Sequence, residues 1–215
     1  MSLTLHTYFR SSAAYRVRIA LNLKGLTAQH VFVHLTRHGG EQFGEAFRAL
    51  NPQALVPVLS DGGVQIGQSL AIMEYLDEAY PSVPLLPKAL ADRAFVRQLS
   101  LGIACDVHPL NNLRVLKYLT GTLGASEDAK SAWIHHWITL GLQAVEAELA
   151  RRPASRFCVG DVPTMADCCL VPQVFSAQRF NVDLSDFPRV TQVYANCQAL
   201  DAFADAQPSR QPDAE

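Results

Sequence analysis

Three prolines fall within the seven residues Pro81-Ser82-Val83-Pro84-Leu85-Leu86-Pro87, and the chain changes character across them. Proline lacks an amide hydrogen and fixes φ, so this stretch suits neither a helix interior nor a central strand. Residues 81–87 therefore read as a linker. Before it, short apolar runs alternate with helical patterns. Residues 3–8 read as a strand and 11–24 as a helix stopped by Gly25. Residues 29–34 read as a second strand and 41–50 as a short helix. Residues 56–59 and 64–66 flank Asp61-Gly62-Gly63, a hairpin turn. Residues 69–80 form a further helix, with Ser69 as its expected N-cap. The order β-α-β-α-β-β-α, a parallel start and an antiparallel hairpin, makes residues 1–80 an α/β domain.

Beyond the prolines the pattern is helical throughout, and residues 88–215 read as an all-α domain. A long helix is expected over 89–120, kinked at Pro109 where one hydrogen bond is lost. Over 127–151, Trp133, Ile134, Trp137, Ile138, Leu142, Val145 and Leu149 recur at helical spacing. Thr164-Met165-Ala166-Asp167 opens another helix as a capping box, with Asp in place of the usual Glu. A final helix covers 188–199, and the polar tail after Pro208 is expected to fray.

Composition narrows the function classes. The chain has 215 residues, enough for one large domain or two small ones, and its formal net charge of −2 provides no basic field for nucleic acid. No uncharged run approaches the roughly 18 residues that span a bilayer, and His6 and Arg10 interrupt the first apolar stretch, so no membrane partner and a cytosolic location are expected. The five cysteines are odd in number and irregularly spaced, as free thiols in a reducing compartment would be. No metal site is expected: His135-His136 and Cys168-Cys169 diverge on helices, and nothing fixes His34 and His38 together.

The segment Phe9-Arg10-Ser11-Ser12-Ala13-Ala14-Tyr15-Arg16-Val17-Arg18-Ile19-Ala20-Leu21 carries the chemistry. It follows a strand and opens a helix, where unpaired N–H groups attract an anion. A thioredoxin-like redox protein places Cys-x-x-Cys at this point, whereas this chain has Ser-Ser-Ala-Ala and no cysteine before Cys105. A disulfide oxidoreductase is disfavoured. The serines suit a thiolate brought by another molecule, although on their own they could simply cap the helix.

The two-part layout with Ser11-Ser12-x-x-Tyr15-Arg16-Val17-Arg18-Ile19-Ala20-Leu21 resembles the glutathione transferases, in particular the zeta class with its maleylacetoacetate and maleylpyruvate isomerases. Further matches are Ala49-Leu50-Asn51-Pro52, Leu55-Val56-Pro57-Val58-Leu59, Gln68-Ser69-x-Ala71-Ile72, His108-Pro109-Leu110-Asn111-Asn112-Leu113, Val162-Pro163-Thr164-Met165-Ala166-Asp167 and Leu170-Val171-Pro172-Gln173. They span nearly the whole chain and are specific in combination. One departure is Ala13, where many zeta-class sequences have cysteine; some bacterial maleylpyruvate isomerases lack it too.

The resemblance implies a thioredoxin-like glutathione-binding domain followed by a helical substrate-binding domain, working as a homodimer. It implies glutathione as coenzyme, with Ser11 as hydroxyl partner of the thiolate and Ser12 beside it. It places Val56 against the cysteinyl backbone through a cis Val56-Pro57 bond, Gln68 and Ser69 at the γ-glutamyl carboxylate, and Gln42 at the far end of the peptide. His108 and Asn112, expected on one helix face at i and i+4, are further candidates for contact with glutathione. The implied reaction is cis–trans isomerisation of a maleyl keto acid in aromatic ring cleavage. Such a dicarboxylate substrate calls for arginines, and Arg10, Arg114 and Arg179 are the candidates, Arg10 counted with the serines as catalytic. Two alternatives stand beside this reading: a general transferase acting on small electrophiles and a binding module without catalysis. The identity of the maleyl substrate stays open.

Overall fold

The computed structural model describes residues 3–215. The chain divides into two compact units, one comprising the residues up to Leu85 together with Ala199–Glu215, the other Leu86–Gln198. The helical stretch expected over 88–215 thus yields its final segment to the first unit.

The first unit is built on a four-stranded sheet in the order β2-β1-β3-β4, from β1 (Leu3–Thr7), β2 (Ala28–Phe32), β3 (Val58–Asp61) and β4 (Val64–Gly67). β1 runs parallel to β2 and antiparallel to β3, and β3 and β4 form the hairpin. Gly62 and Gly63 take φ of 53° and 96°, the left-handed values that a tight hairpin turn requires. The pleat sends alternate side chains to opposite faces. Leu3, Leu5 and Leu59 pack with Val17 and Leu21 of α1 (Ser12–Leu23) and with Ile72 and Leu76 of α3 (Ser69–Ala79). Val58 joins Tyr8, Phe9, Val33, Val56 and Phe47, the last from α2 (Glu45–Leu50). The residues from 41 to 50, expected as one short helix, form a single 3₁₀ turn (Glu41–Phe43) and then α2, separated at Gly44.

In the second unit α4 (Leu90–Leu101) passes into a π-helical stretch at Gly102–Val107 and a 3₁₀ turn at His108–Asn111 before α5 (Leu113–Gly121) starts anew. The long helix expected over 89–120 is therefore broken, not kinked. Pro109 occupies the first turn of the 3₁₀ segment, where its missing N–H costs nothing. α6 (Glu127–Ala150) packs close to this break, because an ideal Cβ on Gly141 would lie 2.3 Å from Val107 Cγ2. α7 (Met165–Arg179) is buried without interruption from Met165 to Val174. The Asp167 carboxylate accepts from Thr164 N (2.8 Å), Thr164 Oγ1 (2.9 Å) and Cys158 N (2.8 Å), completing the expected capping box with Asp. Glu146 of α6 accepts from the backbone N–H groups of Arg189 and Val190 at 3.0 and 2.9 Å, and so caps α8 (Pro188–Gln198).

The short α9 (Asp201–Ala204) and the residues after it pack against α1. Tyr15 and Asn22 donate to the carbonyls of Phe203 and Ala202. Fraying after Pro208 is not observed: Pro208 and Gln211 are buried, and Gln211 donates to the carbonyls of Asp205 and Gln207. Among the described residues no helix is long and apolar enough to cross a membrane.

Candidate active site

Ser11 is the N-cap of α1, with extended backbone (φ −72°, ψ 116°) and its Oγ accepting from Ala14 N at 3.2 Å. A hydroxyl that caps by accepting still has its own proton to donate. The N–H groups of Ser12 and Ala13 have no carbonyl one turn back, and no acidic residue lies in the first turn to offset the positive end of the helix. Ser11, Ser12 and Ala13 are half-buried, so the turn is accessible. Arg10 is exposed, with its guanidinium 4.8 Å from the centre of the Phe9 ring, which adds a cation beside the serines.

Two arginines inside α1 hold this turn in place. Arg18 is 2 % exposed and donates to the carbonyls of Tyr8 (3.3 Å), Phe9 (3.0 Å) and Ala206 (3.1 Å) and to Thr7 Oγ1 (3.1 Å). Burial lowers its pKa to about 10, so it remains a cation at neutral pH. Arg16 Nη1 donates to Ser69 Oγ at 3.2 Å, linking α1 to α3. Neither role was anticipated. The available signal was two arginines inside the apolar run Tyr15 to Leu21, where a charge is retained only if it is paired.

Val56-Pro57 is cis, and Val56 packs in the cluster that contains Tyr8 and Phe9. At α3 the cap is Gln68 and not Ser69 as expected; Gln68 has φ 66° and ψ 115°, and Ser69 is the first helical residue, 5 % exposed. A left-handed φ on a residue other than glycine is costly and concentrates at functional positions. The Gln68 amide donates to Gln53 Oε1 at 2.8 Å. Gln42 is buried, its amide donating to the Leu35 carbonyl at 3.3 Å while Oε1, also buried, has no partner. The first unit thus brings the residues around Ser11, Val56 and Ser69 together through one apolar cluster and one guanidinium–hydroxyl bond.

The remaining candidates belong to the second unit. His108 opens the 3₁₀ turn, whereas Asn112 caps α5 through a bond from Arg114 N to its Oδ1 at 3.1 Å. The single helix face expected for His108 and Asn112 does not exist, because the helix ends and restarts between them. Arg114 is exposed in the first turn of α5. Trp133 Nε1 donates to the Leu110 carbonyl at 2.9 Å and fixes the turn to α6. Arg179 ends α7, exposed, with its guanidinium 5.0 Å from the centre of the Phe180 ring.

All five cysteines belong to the second unit, and Cys105 is exposed. Cys158, Cys168, Cys169 and Cys197 are buried, and burial pushes the thiols of Cys158, Cys168 and Cys197 up. No group of three His, Cys, Asp or Glu side chains able to hold a metal occurs among the described residues.

Residues 5–84 match the family model for the glutathione S-transferase N-terminal domain, and 140–197 that for the C-terminal domain. A probable maleylacetoacetate isomerase of Vibrio cholerae is 52 % identical over 100 % of this chain and 99 % of its own length. A holo structure of a maleylpyruvate isomerase, described as a bacterial zeta-class glutathione S-transferase, superposes with TM-score 0.95 at 48 % identity, covering 99 % of this chain and 100 % of that one. A maleylacetoacetate isomerase of Methylobacterium extorquens, solved with malonate and glutathione bound, gives TM-score 0.94 at 39 % identity over 99 % of both chains. The two family models and these matches over the full length agree with a sheet unit followed by a helical one: the chain belongs to the zeta class of the glutathione S-transferase family.

Proposed function

We propose that this chain is a glutathione-dependent cis–trans isomerase of a maleyl keto acid, either maleylpyruvate or maleylacetoacetate. The observation that carries the reading is the Ser11 hydroxyl, which accepts from Ala14 N as a cap and so still has its own proton to donate. The residues present fit glutathione: two helix starts with no acidic residue in the first turn suit a thiolate and a carboxylate, and the buried Gln42 Oε1 has an acceptor to spare.

When bound, glutathione supplies a thiolate that adds reversibly to the cis double bond, allowing rotation to the trans isomer. A free thiol of this kind has a pKa near 8.5. The Ser11 hydroxyl, the N–H groups of Ser12 and Ala13 and the dipole of α1 all favour its ionised form. Val56 offers backbone to the peptide as an added strand does, and Gln68 and Ser69 receive its γ-glutamyl carboxylate at the start of α3. Gln42, His108 and Asn112 complete the contacts to glutathione in this reading. Arg10, Arg114 and Arg179 bind the substrate carboxylates and stabilise the enolate oxygen. Residues up to Leu85 then act as the glutathione-binding unit and Leu86–Gln198 as the substrate-binding one. A cytosolic homodimer belongs to the same reading, and sedimentation velocity tests the dimer.

A general transferase with an apolar substrate pocket is the competing reading. With glutathione supplied, the protein should isomerise maleylpyruvate or maleylacetoacetate, and the faster of the two identifies the substrate. Neutralising Arg114 and Arg179 to Gln should lower isomerisation of the dicarboxylate about 100-fold and leave conjugation of a neutral electrophile unchanged. Isomerisation of neither compound defeats the proposal.

A further inference from the structure

Resting on the glutathione-binding reading above, we propose that Asp213 is a positioning residue for the thiolate site, holding the Phe9–Ser11 turn from the far end of the chain. Phe9 N donates to Asp213 Oδ2 at 2.9 Å across 204 positions of sequence, while the Phe9 carbonyl accepts from Arg18 Nη2 at 3.0 Å. Both polar groups flanking the Phe9 Cα are thereby fixed. Two residues on, Ser11 donates its N–H to the Tyr8 carbonyl at 3.0 Å, and that carbonyl also accepts from Arg18. The direction of the Ser11 hydroxyl is thus set by a turn held at three points: Phe9 N–H, the Phe9 carbonyl and the Tyr8 carbonyl. Arg10 stacks on the Phe9 ring, so the same clamp orients the cation beside the serines.

The segment that carries Asp213 is itself anchored. Arg18 Nε donates to Ala206 O, Gln211 closes the turn onto Asp205 and Gln207, and Glu215 pairs with His34 (3.3 Å) and Arg37. Asp213 is half-buried, and its negative charge acts on Arg18 and raises the guanidinium pKa against the larger effect of burial. A carboxylate this near a thiolate site works against an anion electrostatically. Its benefit is geometric: it accepts from Phe9 N–H, while Arg18 separately holds two carbonyls of the same turn.

Geometry and charge are separated by two substitutions. Asp213→Asn keeps an acceptor of the same shape, whereas Asp213→Ala removes it. Arg210→Ala, which breaks only the surface pair with Asp205, controls for disturbance of the segment. Glutathione Kd by calorimetry, KM and kcat for the isomerisation, the thermal midpoint and hydrogen exchange at the Phe9 amide are measured on the intact chain. Asp213→Ala should weaken glutathione binding and raise its KM about tenfold, with faster exchange at Phe9. Asp213→Asn should stay within about twofold of the parent, and Arg210→Ala should match the parent. The proposal is overturned if Asp213→Ala speeds exchange at Phe9 yet binds glutathione as the parent does, or if Asp213→Asn loses as much affinity as Asp213→Ala. If the parent chain itself binds no glutathione, the functional reading fails and carries this proposal with it, whatever the exchange data show.

Discussion

Arg16 Nη1 donates to Ser69 Oγ at 3.2 Å, and both residues are buried. The two helix starts assigned to glutathione, those of α1 and α3, are therefore tied by one guanidinium–hydroxyl bond. Ser69 accepts from Arg16 and so has its own proton to offer a carboxylate. Replacing Arg16 by Met keeps the stem and removes the donor, and should weaken glutathione binding about tenfold. Ser69→Ala should additionally destabilise the fold by about 2 kcal/mol, because it removes the acceptor facing a buried guanidinium. Calorimetric titration and thermal unfolding of both variants check the pair; equal glutathione affinity in Arg16→Met and parent would show that the link has no part in binding.

Ser11 combines a cap with a proton donor, and the two roles predict different losses. Ser11→Ala removes the acceptor for Ala14 N and should cost about 1 kcal/mol of stability. Loss of the donor to the thiolate should lower kcat/KM about 100-fold, far beyond the effect of that modest destabilisation at a temperature where the variant remains folded. Ser12→Ala, one residue into the helix, should lower kcat/KM only about threefold. Titrating the ultraviolet absorbance of enzyme-bound thiolate against pH should place the thiol pKa higher in Ser11→Ala than in the parent.

Tyr75 and Tyr80 both donate to Asp61 Oδ2, at 2.9 and 2.6 Å, fastening the hairpin turn to α3 and the residue after it. Hydrogen bonding to Asp61 raises the Tyr80 hydroxyl from an ordinary value of 10.0 to about 12. A group whose folded-state pKa is raised contributes stability that is fully present below its unfolded value and is lost as pH rises through the folded one. The parent should therefore lose stability relative to Tyr80→Phe between pH 10 and about 12, and the two should run parallel below that window. Spectrophotometric titration of tyrosinate, with unfolding midpoints at each pH, reads both effects.

The elements were legible where local pattern decides them. The Leu3–Thr7 strand, the glycine hairpin, the Ser11 cap and the Asp167 capping box all follow from spacing within a few residues. What stayed hidden depends on distant contacts. Gln68 takes the cap from Ser69 through a left-handed φ that glutamine does not advertise. The clamp on Phe9 joins residues 204 positions apart, and the tail that supplies it reads as polar and loose. Arg16 and Arg18 are buried because α1 is covered by the sheet, by α3 and by α9, an environment visible only once the fold is assembled. The long helix over 89–120 failed for a related reason: helical periodicity reports neither the π-helical stretch at Gly102–Val107 nor how closely a neighbouring helix packs on it.

Gly141 marks that neighbour. An added Cβ would meet Val107 at 2.3 Å from Cγ2 and 2.9 Å from Cγ1, and a valine packed near its branch point has no flexible end to swing away. Alanine at this helix-interior position gains about 1 kcal/mol of helix propensity, while overpacking costs about 1–3 kcal/mol, so Gly141→Ala should be destabilising by about 1 kcal/mol. Val107→Ala alone leaves a void and should also destabilise. The double variant should recover most of the Gly141→Ala loss, since the new methyl fills the space that Val107 vacates. Because His108 follows Val107 directly, Gly141→Ala should raise KM for glutathione if His108 contacts it as proposed. Thermal unfolding of the four-member cycle together with KM for each member tests both statements; additive losses across the cycle would mean that Gly141 and Val107 do not press on one another.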